Sequence, residues 1–121
     1  MKTSEILDQA ADVIEQRGWW RGDYMPDLNE LQLRDVTVDS CPVCLLGGLN
    51  VAVGNAPDEP IYREANSAAF AAASAFADHL GIPLTVSATS LGDDWNDRQR
   101  SAEDVVRELR AAAASEREAG R

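Results

Sequence analysis

Residue type and spacing together suggest reactivity in one short stretch of this chain, Cys41-Pro42-Val43-Cys44. Two thiols three positions apart at a helix start can reach one disulfide, and the positive end of the helix dipole favours a thiolate there. Residues 36–40 read like the strand that leads into such a motif in thioredoxin-like folds, and Ile82-Pro83 could stand for their cis-proline. The remainder of that frame is missing. Residues 54–60 offer a turn where a strand is required between two helices, and residues 92–97 make a poor hairpin partner. Without its frame a Cys-x-x-Cys pair is weak evidence for thiol–disulfide exchange. Two cysteines and the single histidine supply three zinc ligands at most, so only a site shared across a dimer would be complete. No metal and no cofactor is expected.

Cys44, His79 and Asp94 or Asp97 form a nucleophile, base and acid on paper. Each has an ordinary reason to be present. His79 falls in the last turn of a predicted helix, where a histidine suits the negative dipole end, and nothing fixes the mutual geometry of the three. Asp93-Asp94-Trp95-Asn96-Asp97 lacks the alternate acids, central glycine and closing glutamate of a helix-loop-helix calcium site. It reads instead as a turn in which Trp95 is buried and Asn96 and Asp97 bond backbone amides, with a role as a site left open. Trp20 and Arg21, just after a helix stop, are candidates for partner binding, since exposed tryptophan beside arginine is typical of binding hot spots.

These groups need a scaffold, and the composition bounds it. A chain of 121 residues with 45% hydrophobic content suits one domain with one core. Acids outnumber bases 21 to 11, a net charge of −10. That field repels phosphate backbones and argues against nucleic acid. It suits a basic partner, although solubility alone explains it. Lys2 is the only lysine against ten arginines, which together with the alanine content points to a GC-rich genome. Nothing in residues 1–11 resembles a signal peptide, and the greasiest helix, around residues 68–77, is too short and too rich in alanine for a membrane span. A cytoplasmic protein with reduced thiols is expected.

Hydrophobic periodicity supplies the elements. A first helix, capped by Thr3 or Ser4, carries Ile6, Leu7, Ala10, Val13 and Ile14 on one face and stops at Gly18. Leu31, Leu33, Val36 and Val38 suggest short extended pairs. A second helix is expected from about Cys41-Pro42, capped by Ser40 or Cys41 and stopped by Gly54, with Gly47-Gly48 allowing close approach of an alanine-rich third helix. That third helix starts around Pro60 and places Ile61, Ala65, Ala69, Ala72, Phe76 and Leu80 on one stripe. Apolar over much of its circumference, it should be central or form a dimer contact. Gly81 ends it and residues 82–86 are extended. Ser101-Ala102-Glu103-Asp104 opens a last helix whose buried face is Ala102, Val105, Val106, Leu109 and Ala113, with a frayed tail after Ala114.

The order of these pieces carries a resemblance. A helix ending in Arg17-Gly18-Trp19 is followed by Cys44-Leu45-Leu46-Gly47-Gly48-Leu49, an alanine-rich helix, the turn Trp95-Asn96-Asp97 and a helix opening Ser-Ala-Glu-Asp-Val. Over about residues 5–110 this resembles a family of uncharacterised small proteins of actinobacteria and their phages. The resemblance implies a recurring cysteine at Cys44, a small residue at Gly48, and an Asn-Asp followed by arginine and a cap, here Asn96, Asp97, Arg100 and Ser101. Cys41 lies outside the pattern, and the family brings no activity with it.

The sequence therefore predicts a mainly α, compact four-helix single domain over residues 1–121, ordered from about 3 to 114. It leaves room for one short extended or two-stranded element. The expected function is non-enzymatic binding of a host or self protein, in the host cytoplasm if phage-encoded, with a homodimer left open. The other reading is a cysteine-dependent enzyme, using thiol–disulfide exchange at Cys41 and Cys44 or a nucleophilic Cys44 with His79.

Overall fold

Apolar residues recurring every three or four positions make the opening segment an amphipathic helix. The computed structural model, which describes residues 1–121, forms it as α1 (Thr3–Arg17) with Ile6, Leu7, Ala10, Ala11 and Ile14 buried. Lys2 caps it rather than Thr3 or Ser4, its backbone N–H donating to Glu5 Oε1 at 2.9 Å. The chain is mainly helical without a sheet, but it has five α-helices rather than four. These are α1, α2 (Leu28–Arg34), α3 (Leu45–Ala52), α4 (Ser67–Leu80) and α5 (Ala102–Glu118), with a π-helical turn at Leu91–Trp95 and a 3-10 turn at Asn96–Arg98. No helix is long and apolar enough to cross a membrane.

The additional helix, α2, occupies residues expected to be extended. Asp27 caps it, accepting the Glu30 N–H at 2.9 Å, and Asp35 ends it in the left-handed region at φ 54°. Asp27-Leu28-Asn29-Glu30 after Pro26 is a helix-start signal that outweighs the alternating apolar pairs. α3 also begins later than the proline suggests, with Cys44 as its cap. Residues 41–44 are held instead against the end of α1. The Val43 N–H donates to Gly18 O at 3.2 Å, the Trp20 N–H to Val43 O at 3.0 Å, and the Cys44 N–H to Tyr24 O at 3.0 Å.

α4 starts at Ser67, not near Pro60. Residues 61–63 pair with residues 86–88 instead: the Arg63 N–H donates to Val86 O at 3.0 Å and the Ala88 N–H to Ile61 O at 3.1 Å, so these backbone groups are not free for a helical turn. Buried Asn50 fixes the loop before them, its Nδ2 donating to Pro57 O at 2.9 Å and Glu59 O at 2.7 Å, while Asn66 Nδ2 donates to Asn50 Oδ1 at 3.0 Å. Residues 82–86 form no strand, and the single bridge nearby pairs Tyr62 with Ser87.

α1, rather than the alanine-rich α4, is the central helix, packing against α3, α4 and α5. α5 runs antiparallel to it: Arg110 Nη2 donates to Asp12 Oδ1 and Glu15 Oε1, each at 2.7 Å, Arg117 reaches Asp8, and Ser4 Oγ donates to the Arg121 carbonyl at 2.9 Å. Those last contacts carry α5 past Ala114, where the sequence suggests fraying. Gly48 also packs against α1 instead of α4, since a Cβ there would meet Ala10 O at 3.2 Å and Ile14 at 3.5 Å.

Candidate functional site

Cys44 is the natural starting point, because its position as the cap of α3 is where a thiolate would be favoured. The structure gives it another job. Its Sγ accepts the Gly47 N–H at 3.4 Å, satisfying one of the free donors at the helix start. The residue is 2% exposed. Burial pushes the thiol up to about 12 against the pull of the Gly47 and Leu46 amides, and the charges of Asp97 and Asp23 push the same way. An activated cysteine needs positive surroundings; this one borders a small hollow whose charged walls are Asp23, Asp93 and Asp97.

The partners required for catalysis are not gathered there. His79 is in the last turn of α4, as expected, but it is exposed, with Nε2 at 3.3 Å from Glu108 Oε2 on α5. Cys41 is buried, with its Sγ 3.6 Å from Val38 O, and desolvation raises its pKa too. Both thiols are free.

The Trp-Asn-Asp turn is where the chain converges, although Asn96 rather than Trp95 is its buried member. Asn96 has no exposure, while Trp95 is half-buried with its ring edge-on to Phe76 at 5.0 Å. Asn96 Oδ1 accepts the Trp19 indole N–H at 2.9 Å and the Leu45 N–H at 3.1 Å. Its Nδ2 donates to Trp20 O at 3.1 Å and Asp97 Oδ1 at 3.2 Å. Asp97 accepts the Gly22 N–H at 3.0 Å, so it does bond a backbone amide, but one 75 positions away. One amide thus ties the end of α1, the start of α3 and the π-helical turn together. With every donor and acceptor satisfied internally, this is the arrangement of a structural strut.

Trp20 and Arg21 part company. Trp20 is half-buried beneath Arg34 of α2, whose guanidinium lies 5.0 Å from the ring centroid, whereas exposed Arg21 stacks on Trp19 at the same distance. Trp20 therefore borders α2, and α2 has an unusual surface. Leu31 is its only buried residue, while Leu28 and Leu33 are 73% and 80% exposed and nearby Val38 is 38% exposed. Leu28 and Val38 together line two adjoining grooves. The sequence reading missed this face because it took residues 31–38 as strand. The capping signal at Asp27 announces a helix, and on a helix Leu33 faces away from buried Leu31.

A family model described as a family of unknown function (DUF6197) matches residues 1–115. No curated protein and no solved structure gives a significant match.

Proposed function

The chain belongs to that family of unknown function, and from this premise we propose that it acts by binding another protein, of the host or of its own kind, rather than by catalysis. The observation that carries the reading is the exposure of Leu28, Leu33 and Val38 within a short segment that contributes little else to the core. Single exposed apolar residues are ordinary, whereas Leu28 and Val38 share the lining of two adjoining grooves, and adjoining apolar surface marks an interaction site. Half-buried Trp20 beneath Arg34, at the other end of α2, adds the aromatic and arginine types that dominate binding energy. Tyr62 and Val86 are a second, smaller exposed pair. The arginine bias and the order of sequence motifs support an actinobacterial or phage origin, which would place the binding in the host cytoplasm.

A photoreactive phenylalanine analogue in place of Leu33 tests the proposal in cells that naturally express the protein. A discrete protein adduct is expected on irradiation, and none with the analogue in place of exposed Glu118 at the end of α5. Equal labelling at both positions, or none at any position on α2, would overturn it.

A further inference from the structure

The groove on the Asp27 side of α2 has a chemistry of its own. Met25, Leu28 and Val38 supply apolar side chains, and Asp23, Asp27 and Asp58 stand around them. None of those three carboxylates takes part in an ion pair; the arginines that do so serve α1, α5, the C-terminal end and Glu30. Asp23 and Asp27 each accept one local backbone N–H, at 2.8 and 2.9 Å, and Asp27 thereby caps α2. Arg17 Nη1 donates to the Val38 carbonyl at 3.0 Å rather than to any of these carboxylates.

Resting on the protein-binding reading, we propose that this groove receives a basic amphipathic helix of another protein, with leucine-type side chains against Met25, Leu28 and Val38 and arginine or lysine side chains facing Asp23, Asp27 and Asp58. Charge complementarity selects that occupant. A second copy of the chain is disfavoured, since a two-fold contact on this face sets the three carboxylates of each copy against their counterparts, within molecules already at −10. Anionic lipid and nucleic acid are repelled for the same reason.

The test is a nuclear magnetic resonance titration of the isotope-labelled full chain with a short amphipathic helical peptide of leucine and arginine. The same peptide with glutamate for arginine is the control. Shifts are expected at Met25, Leu28, Val38 and Asp58, with affinity falling as salt is added. Asp27→Asn keeps a good helix cap, so the Asp27→Asn, Asp58→Asn double variant should remain folded and bind about three- to tenfold more weakly. Leu28→Ser, at an exposed position, should weaken binding about tenfold. The assignment falls if the arginine peptide does not bind, or if the control peptide binds equally well. It falls too if the shifts lie elsewhere, if the same face shifts with protein concentration alone, or if phosphatidylserine vesicles occupy it. A protein captured at Leu33 whose yield ignores these substitutions would leave the binding reading standing and sink only the groove.

Discussion

Asn96 commits its whole hydrogen-bonding capacity, three of its four bonds reaching residues more than 50 positions away. Replacing it with alanine strands the Trp19 indole N–H and the Leu45 N–H, the two donors its Oδ1 accepts. A buried donor left unpaired costs about 1–3 kcal/mol. Asn96→Ala should therefore lose roughly 2–4 kcal/mol in urea melts, while Asp97→Ala, whose Gly22 bond lies at an exposed position, should lose about 1 kcal/mol. The reverse order would mean that Asp97 rather than Asn96 holds the turn. Cys44 makes a prediction about pH. Its ordinary thiol value is 9.0 and its folded value about 12, so folding favours the protonated form. That stabilisation is complete below the unfolded pKa and is lost as pH rises from there through the folded value. Thermal melts of the parent should deteriorate above about pH 9 more than those of Cys44→Ser, which keeps a capping oxygen and removes the titration. Parallel curves would show that the thiol contributes nothing to the alkaline loss.

At the scale of elements, the two neighbouring glycines of α3 separate cleanly. A Cβ on Gly47 would lie 2.6 Å from the Tyr24 carbonyl oxygen and 2.9 Å from Val43 Cβ. One neighbour is backbone that bonds the Cys44 N–H, and the other is pinned by the bridge to Trp19. Overpacking of that kind costs about 1–3 kcal/mol and should exceed the gain of about 1 kcal/mol in helix propensity. Gly47→Ala is expected to destabilise. A Cβ on Gly48 meets nothing closer than 3.2 Å, so Gly48→Ala should fall within about 1 kcal/mol of the parent in chemical denaturation. Similar losses in both variants would contradict this division. Two glycines in one helix do announce a close approach in sequence, but not to which neighbour. The long helices α1 and α5 were legible because their periodic faces and, for α5, the Ser101 cap agree with tertiary packing. What sequence could not locate were the features decided at long range. Pairing of Ile61 and Arg63 with residues 86–88 delays α4, and the bridge from Trp19 to Val43 delays α3. α2 is different. Its capping signal is local, and the alternating apolar pairs masked it. The exposed face of α2 was not legible, whereas Cys44, Trp20 and Asn96 were, as residues at junctions. Their roles were not, because a thiol's reactivity and an amide's partners depend on burial that one chain of letters does not display.

At the scale of the molecule, interior chemistry and surface chemistry point in opposite directions. Inside, the polar groups are consumed: Asn96 is fully bonded, Cys44 caps α3 with its thiol held protonated, and no buried side-chain nitrogen or oxygen lacks a partner. Outside, α2 leaves Leu28 and Leu33 in water, the first of them beside carboxylates that take part in no ion pair. A protein that worked through Cys44 would need the first arrangement relaxed, and a protein that works by binding needs the second preserved. The measurement that separates them most directly is the yield of the Leu33 photoadduct in two further backgrounds, Cys44→Ser and Leu28→Asp, compared in the same cells. The adduct should persist in Cys44→Ser and disappear in Leu28→Asp, since the partner is held by the α2 face and not by the thiol. An adduct that survives Leu28→Asp and is lost in Cys44→Ser would contradict that account.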